Sequence, residues 1–139
     1  MKRALLVVAV LLSLAPLSYG QKVKEHPIDK ALGDCIDKDG STAGMVQCIS
    51  NAEEKWDKEL NRAYGELMKR LTPQGKSALK EAQLQWIKFR DSEFKLQDSI
   101  YSKLEGTMYI PMSADSRMQV VKNRALELRS YLDLLKETQ

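Results

Sequence analysis

The chain has 139 residues and a formal net charge of +3, enough for one domain with a modest core. A charge this close to balance gives no electrostatic case for nucleic acid or an anionic membrane as partner. Two cysteines and a single histidine are too few for a structural metal site.

Residues 1–20 read as a secretory signal. Lys2 and Arg3 open it, an apolar run follows from Ala4 to Leu14 broken only by Ser13, and Pro16 ends the run. Ser18 and Gly20 then put small residues at −3 and −1 of a cut before Gln21. The run is too short to cross a bilayer comfortably. No cysteine follows the cut, so no lipid anchor is expected after cleavage. Loss of Lys2 and Arg3 lowers the charge from +3 to +1, and the location implied is periplasmic or extracellular.

Residues 21–27 are a polar, flexible lead-in, and 28–139 form one helical domain. A short helix is expected over Ile28 to Ile36. Asp37 to Ser41 is turn-forming, with Ser41 or Thr42 capping the next helix. From Ala43 to Leu71 the apolar residues Met45, Cys48, Ala52, Trp56, Leu60, Ala63, Leu67 and Leu71 recur by three or four. Thr72-Pro73 is a cap followed by proline at a first helical position. The third helix is expected from Pro73 to Leu104, with a buried stripe of Leu79, Ala82, Trp86, Phe89, Glu93, Leu96, Ile100 and Leu104. Gly106 ends it, and Gly106 to Met112 is an unusually apolar connector. Ser113 is expected to cap the last helix, whose stripe is Met118, Val121, Ala125, Leu128, Leu132 and Leu135.

The fold class is all-α: a small bundle of three long helices plus a short N-terminal helix tethered by a disulfide. Cys35 and Cys48 are the only cysteines. In an oxidising compartment they pair, and closing a loop of this length contributes ~3 kcal/mol in the chain-entropy model.

Two Trp-centred segments carry polar residues beside the stripes. Asp57 and Asn61 follow Trp56; Gln83, Arg90, Asp91 and Glu93 surround Trp86; Arg124 lies between Val121 and Leu128. The reading favoured is a structural polar network, with Arg90 bridging Asp57 or Glu93, and Asn61 pairing with Gln83. The alternative uses Asp57, Asp91 and Glu93 as acid/base groups, which needs two carboxyls flanking a cleft. A Ser/His/Asp arrangement would need His26, outside the helical region. Gly-rich phosphate loops are absent. No catalytic residue, metal or cofactor is expected. Met108, Tyr109, Ile110 and Met112 in the connector either cover the end of the bundle or, left exposed, mark a contact surface, which makes them the candidate partner-binding residues.

Several of these motifs together resemble the LprI-like lysozyme-inhibitor N-terminal domain family. They are Cys35…Cys48, Trp56-Asp57-x-x-Leu60-Asn61-x-x-Tyr64, Ala82-Gln83-x-x-Trp86-x-x-Phe89-Arg90-Asp91, Gly106-Thr107-Met108 and Arg124-x-x-x-Leu128. The resemblance runs from about Asp34 to Leu132. It implies a small secreted helical bundle and, for some members, lysozyme inhibition. Many members have a cysteine where this chain has Phe94 and another near Ser116, so a second disulfide is absent here. Many also have Thr in place of Val121. The expected function is a non-enzymatic secreted protein-binding module that occludes a protein partner sterically, a lysozyme-type muramidase being the foremost. The alternative is a periplasmic structural or stress-related envelope protein with another partner.

Overall fold

The computed structural model describes residues 25–137; the expected signal and most of the lead-in lie outside them. Every regular element among the described residues is helical: α1 (Pro27–Ile36), α2 (Thr42–Arg70), α3 (Pro73–Tyr101) and α4 (Tyr109–Glu137). α1 has 10 residues and each of the others 29.

The helix starts follow from local chemistry. Pro27 opens α1, where its missing N–H costs nothing, and His26 Nδ1 accepts a hydrogen bond from the Ile28 N–H at 3.2 Å. His26 therefore belongs to the folded domain and not to the lead-in. Ser41 Oγ accepts from the Gly44 N–H at 3.0 Å, and Thr72 Oγ1 from the Gly75 N–H at 3.2 Å, so both expected caps form. α3 stops at Tyr101, three residues before Leu104. The chain then turns through Gly106, whose φ of 113° suits a residue without a Cβ. α4 begins at Tyr109, four residues before the expected cap at Ser113. Pro111 is tolerated there because first-turn N–H groups have no intrahelical partner. Tyr109 to Met112 is thus helix and not connector.

α2 and α4 make the core. Ile49, Ala52, Trp56, Leu60, Ala63 and Leu67 face Met118, Val121, Ala125, Leu128 and Leu132. The α4 set steps three, four, three and four, which keeps the seam on one side of a long helix. Lys122 Nζ lies 5.5 Å from the Trp56 ring centroid, and Arg129 pairs with Glu59 at 2.7 Å. Positions on both helices therefore advance together, and α2 and α4 run parallel. α1 runs back along α2: the Cys35–Cys48 disulfide closes one end, and His26 stacks on Trp56 at 4.4 Å at the other. Trp56 is fully buried, and its Nε1 has no hydrogen-bond partner among the described residues. That costs ~1–3 kcal/mol, set against ring burial and the Lys122 cation over its face.

α3 departs from expectation. Of its expected stripe only Leu79 is buried, while Phe89 and Leu96 are 56 % and 52 % exposed. The row turned inward is Leu79, Gln83, Trp86, Arg90, Phe94, Gln97 and Tyr101, all buried or half-buried. It also recurs by three and four, but lies roughly a quarter turn away, at ~100° per residue. This mixed row faces the bundle because α4 presents Ser116, Arg117 and Arg124 to it. The inward row meets them with an amide acceptor at Gln83, an aromatic face at Phe94 and a phenol at Tyr101.

Glu59, beneath the α2–α4 seam, is held at about 2 by hydrogen bonds from Arg62 and then Arg129, against the burial that opposes ionisation. Its contribution is present above the ordinary carboxylate range and is lost as pH falls from about 4.5 towards about 2. Urea unfolding should therefore show a stability gap between wild type and Glu59→Gln that is full at pH 7 and closes by about pH 2. Thermal and urea unfolding should also separate the two faces of the bundle: Leu128→Ala costs ~2–5 kcal/mol, and Phe89→Ala stays within ~0.5 kcal/mol.

Candidate functional site

The seven polar residues singled out in sequence do not join into one network. Asn61 Nδ2 donates to the Asp57 carboxylate and the Asp57 carbonyl, both at 2.9 Å, within its own helix. Arg90 turns to its neighbour Asp91 at 2.7 Å and lies 5.5 Å from the Trp86 ring centroid. Glu93 accepts from Gln97 at 3.3 Å. The expected bridges from Arg90 to Asp57 or Glu93, and from Asn61 to Gln83, are not formed. α2 and α3 stand far enough apart for each long side chain to find a nearer partner on its own helix.

One expected residue does cross between helices. Arg124, 8 % exposed, donates from Nε to Gln83 Oε1 at 3.0 Å and from Nη1 to Glu127 at 2.6 Å. One turn pair earlier, Arg117 does the same work unannounced. Its guanidinium stacks on Phe94 at 4.5 Å and pairs with Asp98 at 2.9 Å. Tyr101 Oη donates to Ser116 Oγ at 2.8 Å, while the Ser116 hydroxyl donates to the Met112 carbonyl at 2.9 Å. Phe94 and Ser116 are thus both engaged between α3 and α4. Here a cation–aromatic contact, an ion pair and a hydroxyl pair link α3 to α4 at that level.

Asp57, Asp91 and Glu93 each have a private partner and do not converge as an acid/base pair. The shifted carboxyl in the α2–α3 groove is Glu53, raised by burial and restrained by Arg117 and Arg90. It shares that groove with Ser50, Asp57, Arg90 and Phe94.

The other concentration of unusual surface is the end where α1 finishes, α2 begins, α3 finishes and α4 begins. The disulfide lies there. Met108, Ile110 and Met112 are 61 %, 54 % and 45 % exposed, while Tyr109 is half-buried. Ile100 and Leu104, also exposed, extend this surface along α3. An apolar cavity of about 470 Å³ opens beside it, between Leu32 and Ile36 of α1 and Met45 and Ile49 of α2.

A helical domain with this disulfide and these Trp segments has known relatives. The lysozyme inhibitor LprI family model matches residues 35–128. The chain belongs to that family. A crystal structure of an uncharacterised protein from Burkholderia thailandensis is similar, with 36% identity and a TM-score of 0.76 over 81% of this chain. This chain spans 57% of that longer one. No curated protein matches the sequence. The family is one of inhibitors, and among the described residues no helix is long and apolar enough to cross a membrane.

Sequence reading missed Arg117, the Asp29–Lys122 pair at 2.8 Å and the role of His26. The last was legible in Pro27, since a proline at a first helical position makes its predecessor the cap. Arg117 was legible only as the residue seven before Arg124. Thermal melting distinguishes Arg124 from Arg90: Arg124→Ala, which strands Gln83, costs ~1–3 kcal/mol, whereas Arg90→Ala costs less than ~1 kcal/mol.

Proposed function

We propose that the protein is an exported, non-enzymatic inhibitor that occludes a lysozyme-type muramidase with the disulfide end of its bundle. The observation that carries this reading is the run of exposed apolar side chains there, Ile100, Leu104, Met108, Ile110 and Met112. Leaving such a patch in water is costly, and it commonly marks a protein contact. Family membership supports the partner class. The disulfide fits an oxidising compartment.

Charge at this end supports a basic partner better than the whole-chain value does. The connections α1–α2 and α3–α4 and the first turns of α4 carry Asp37, Asp39, Glu105 and Asp115 against Lys38 and Lys103. Lysozymes are commonly basic, and a local acidic surplus steers such a partner and favours its approach. Met108 and Met112 add flexible, polarisable contact area that adapts to a partner surface. The proposed mode is steric: a helical end docks over the enzyme's cleft, and no side chain of the bundle takes part in chemistry.

A lytic assay on purified cell wall tests this. Excess protein should suppress lysis by a purified lysozyme. Ile110→Asp should weaken inhibition at least ~10-fold, as expected for a central apolar contact, whereas Lys69→Ala at the opposite end leaves it unchanged. Undiminished lysis at saturating wild-type protein contradicts the muramidase reading and favours an envelope protein with a different partner.

A further inference from the structure

The cavity at the disulfide end is more than a gap between helix termini. Its walls come from all four helices and their connections. Leu32 and Ile36 stand at −3 and +1 of Cys35, and Met45 and Ile49 at −3 and +1 of Cys48. The disulfide therefore fixes two facing walls at once, and its bond sets their separation. Met108 and Met112 close a third side. A volume of about 470 Å³ lies within the ordinary range for small-ligand sites, ~300–1,000 Å³.

The polar groups in the wall decide which ligand fits. Tyr101 Oη is satisfied by Ser116 Oγ, and Ser116 in turn by the Met112 carbonyl. Asp115 is different. It is half-buried, it forms no ion pair among the described residues, and its one hydrogen bond comes from Gln119 Nε2 at 3.4 Å. A carboxylate on the wall of an apolar cavity, with most of its hydrogen-bonding capacity unused, is available to a cationic group there. Arg117, the nearest arginine in sequence, is committed to Asp98 and Phe94.

The geometry points to a binding site for a small cationic amphiphile: an apolar chain or ring body seated among Leu32, Ile36, Met45 and Ile49, with an ammonium or guanidinium group against Asp115. The methionines let one cavity accept bodies of different outline. This site does not depend on muramidase binding, although it opens beside the proposed docking surface.

Calorimetric titration of the purified, oxidised protein with decyltrimethylammonium, below its micelle concentration, tests the assignment. Decyl sulfate serves as the same chain with the opposite charge. The expected result is saturable one-to-one binding that favours the cation by about tenfold or more. Asp115→Asn should bring the two ligands to within about threefold of each other. Met45→Trp, which fills the cavity, should abolish both, and Met112→Trp at the exposed mouth should weaken both in a protein whose melting is unchanged. Absence of saturable binding, equal affinity for the two head groups in the wild type, or binding unaffected by both tryptophan variants would each overturn it.

Discussion

The parallel seam between α2 and α4 is the interaction on which the rest of the molecule depends. Among the described residues, twelve of the thirteen buried hydrophobic side chains belong to these two helices; the thirteenth is Leu79. Small residues at Ala52, Ala63 and Ala125 are fully or almost fully buried in it, which lets the backbones approach around Trp56, Leu60 and Leu128. Burial of this kind is the dominant favourable term in folding. Once two parallel helices are joined this way, the chain between them must return along their side. α3 is that return, and it is held by few contacts of its own.

This hierarchy explains the surface. α3 needs only enough affinity to lie against α4, and it obtains this from Arg124 on Gln83, Arg117 on Phe94 and Asp98, and Tyr101 on Ser116. At the level of Phe94 and Ser116 the two helices are joined by non-covalent contacts. Because the inward row of α3 is mixed in chemistry, its apolar row of Phe89, Leu96 and Ile100 is left outside. That row runs toward the apolar disulfide end. Packing thus explains why a small bundle carries exposed hydrophobic surface, and why that surface gathers where a partner is proposed to dock.

Much of the fold was legible in the sequence because helix caps and apolar periods are local signals. Ser41, Thr72, Pro73 and Gly106 mark boundaries by their own chemistry, and the stripes of α2 and α4 are strict enough to be read directly. α3 was not, because two rows share its three-and-four spacing and the choice between them lies on α4. The α4 start was displaced for a similar reason: Ser113 is a good cap, but Pro111 is compatible with an earlier first turn. Of the candidate site, the apolar residues near Met108 were visible as composition. The polar residues were visible as types but not as pairs, since Arg90 and Asn61 take neighbours on their own helix and only Arg124 reaches across. The cavity was invisible, because it forms only where four chain segments meet.

The claim that α2 and α4 form the stable unit, with α3 as a separately held layer, is tested most directly by native-state hydrogen exchange under increasing sub-denaturing urea. Amides around Trp56 and Leu60 of α2, and Val121 and Leu128 of α4, should exchange only through global unfolding. Those of α3 between Trp86 and Gln97 should open at lower free energy, in a step that leaves the seam protected. Equal protection of α3 and the seam, merging in one transition at every urea concentration, would contradict that hierarchy and the origin it gives for the exposed apolar surface.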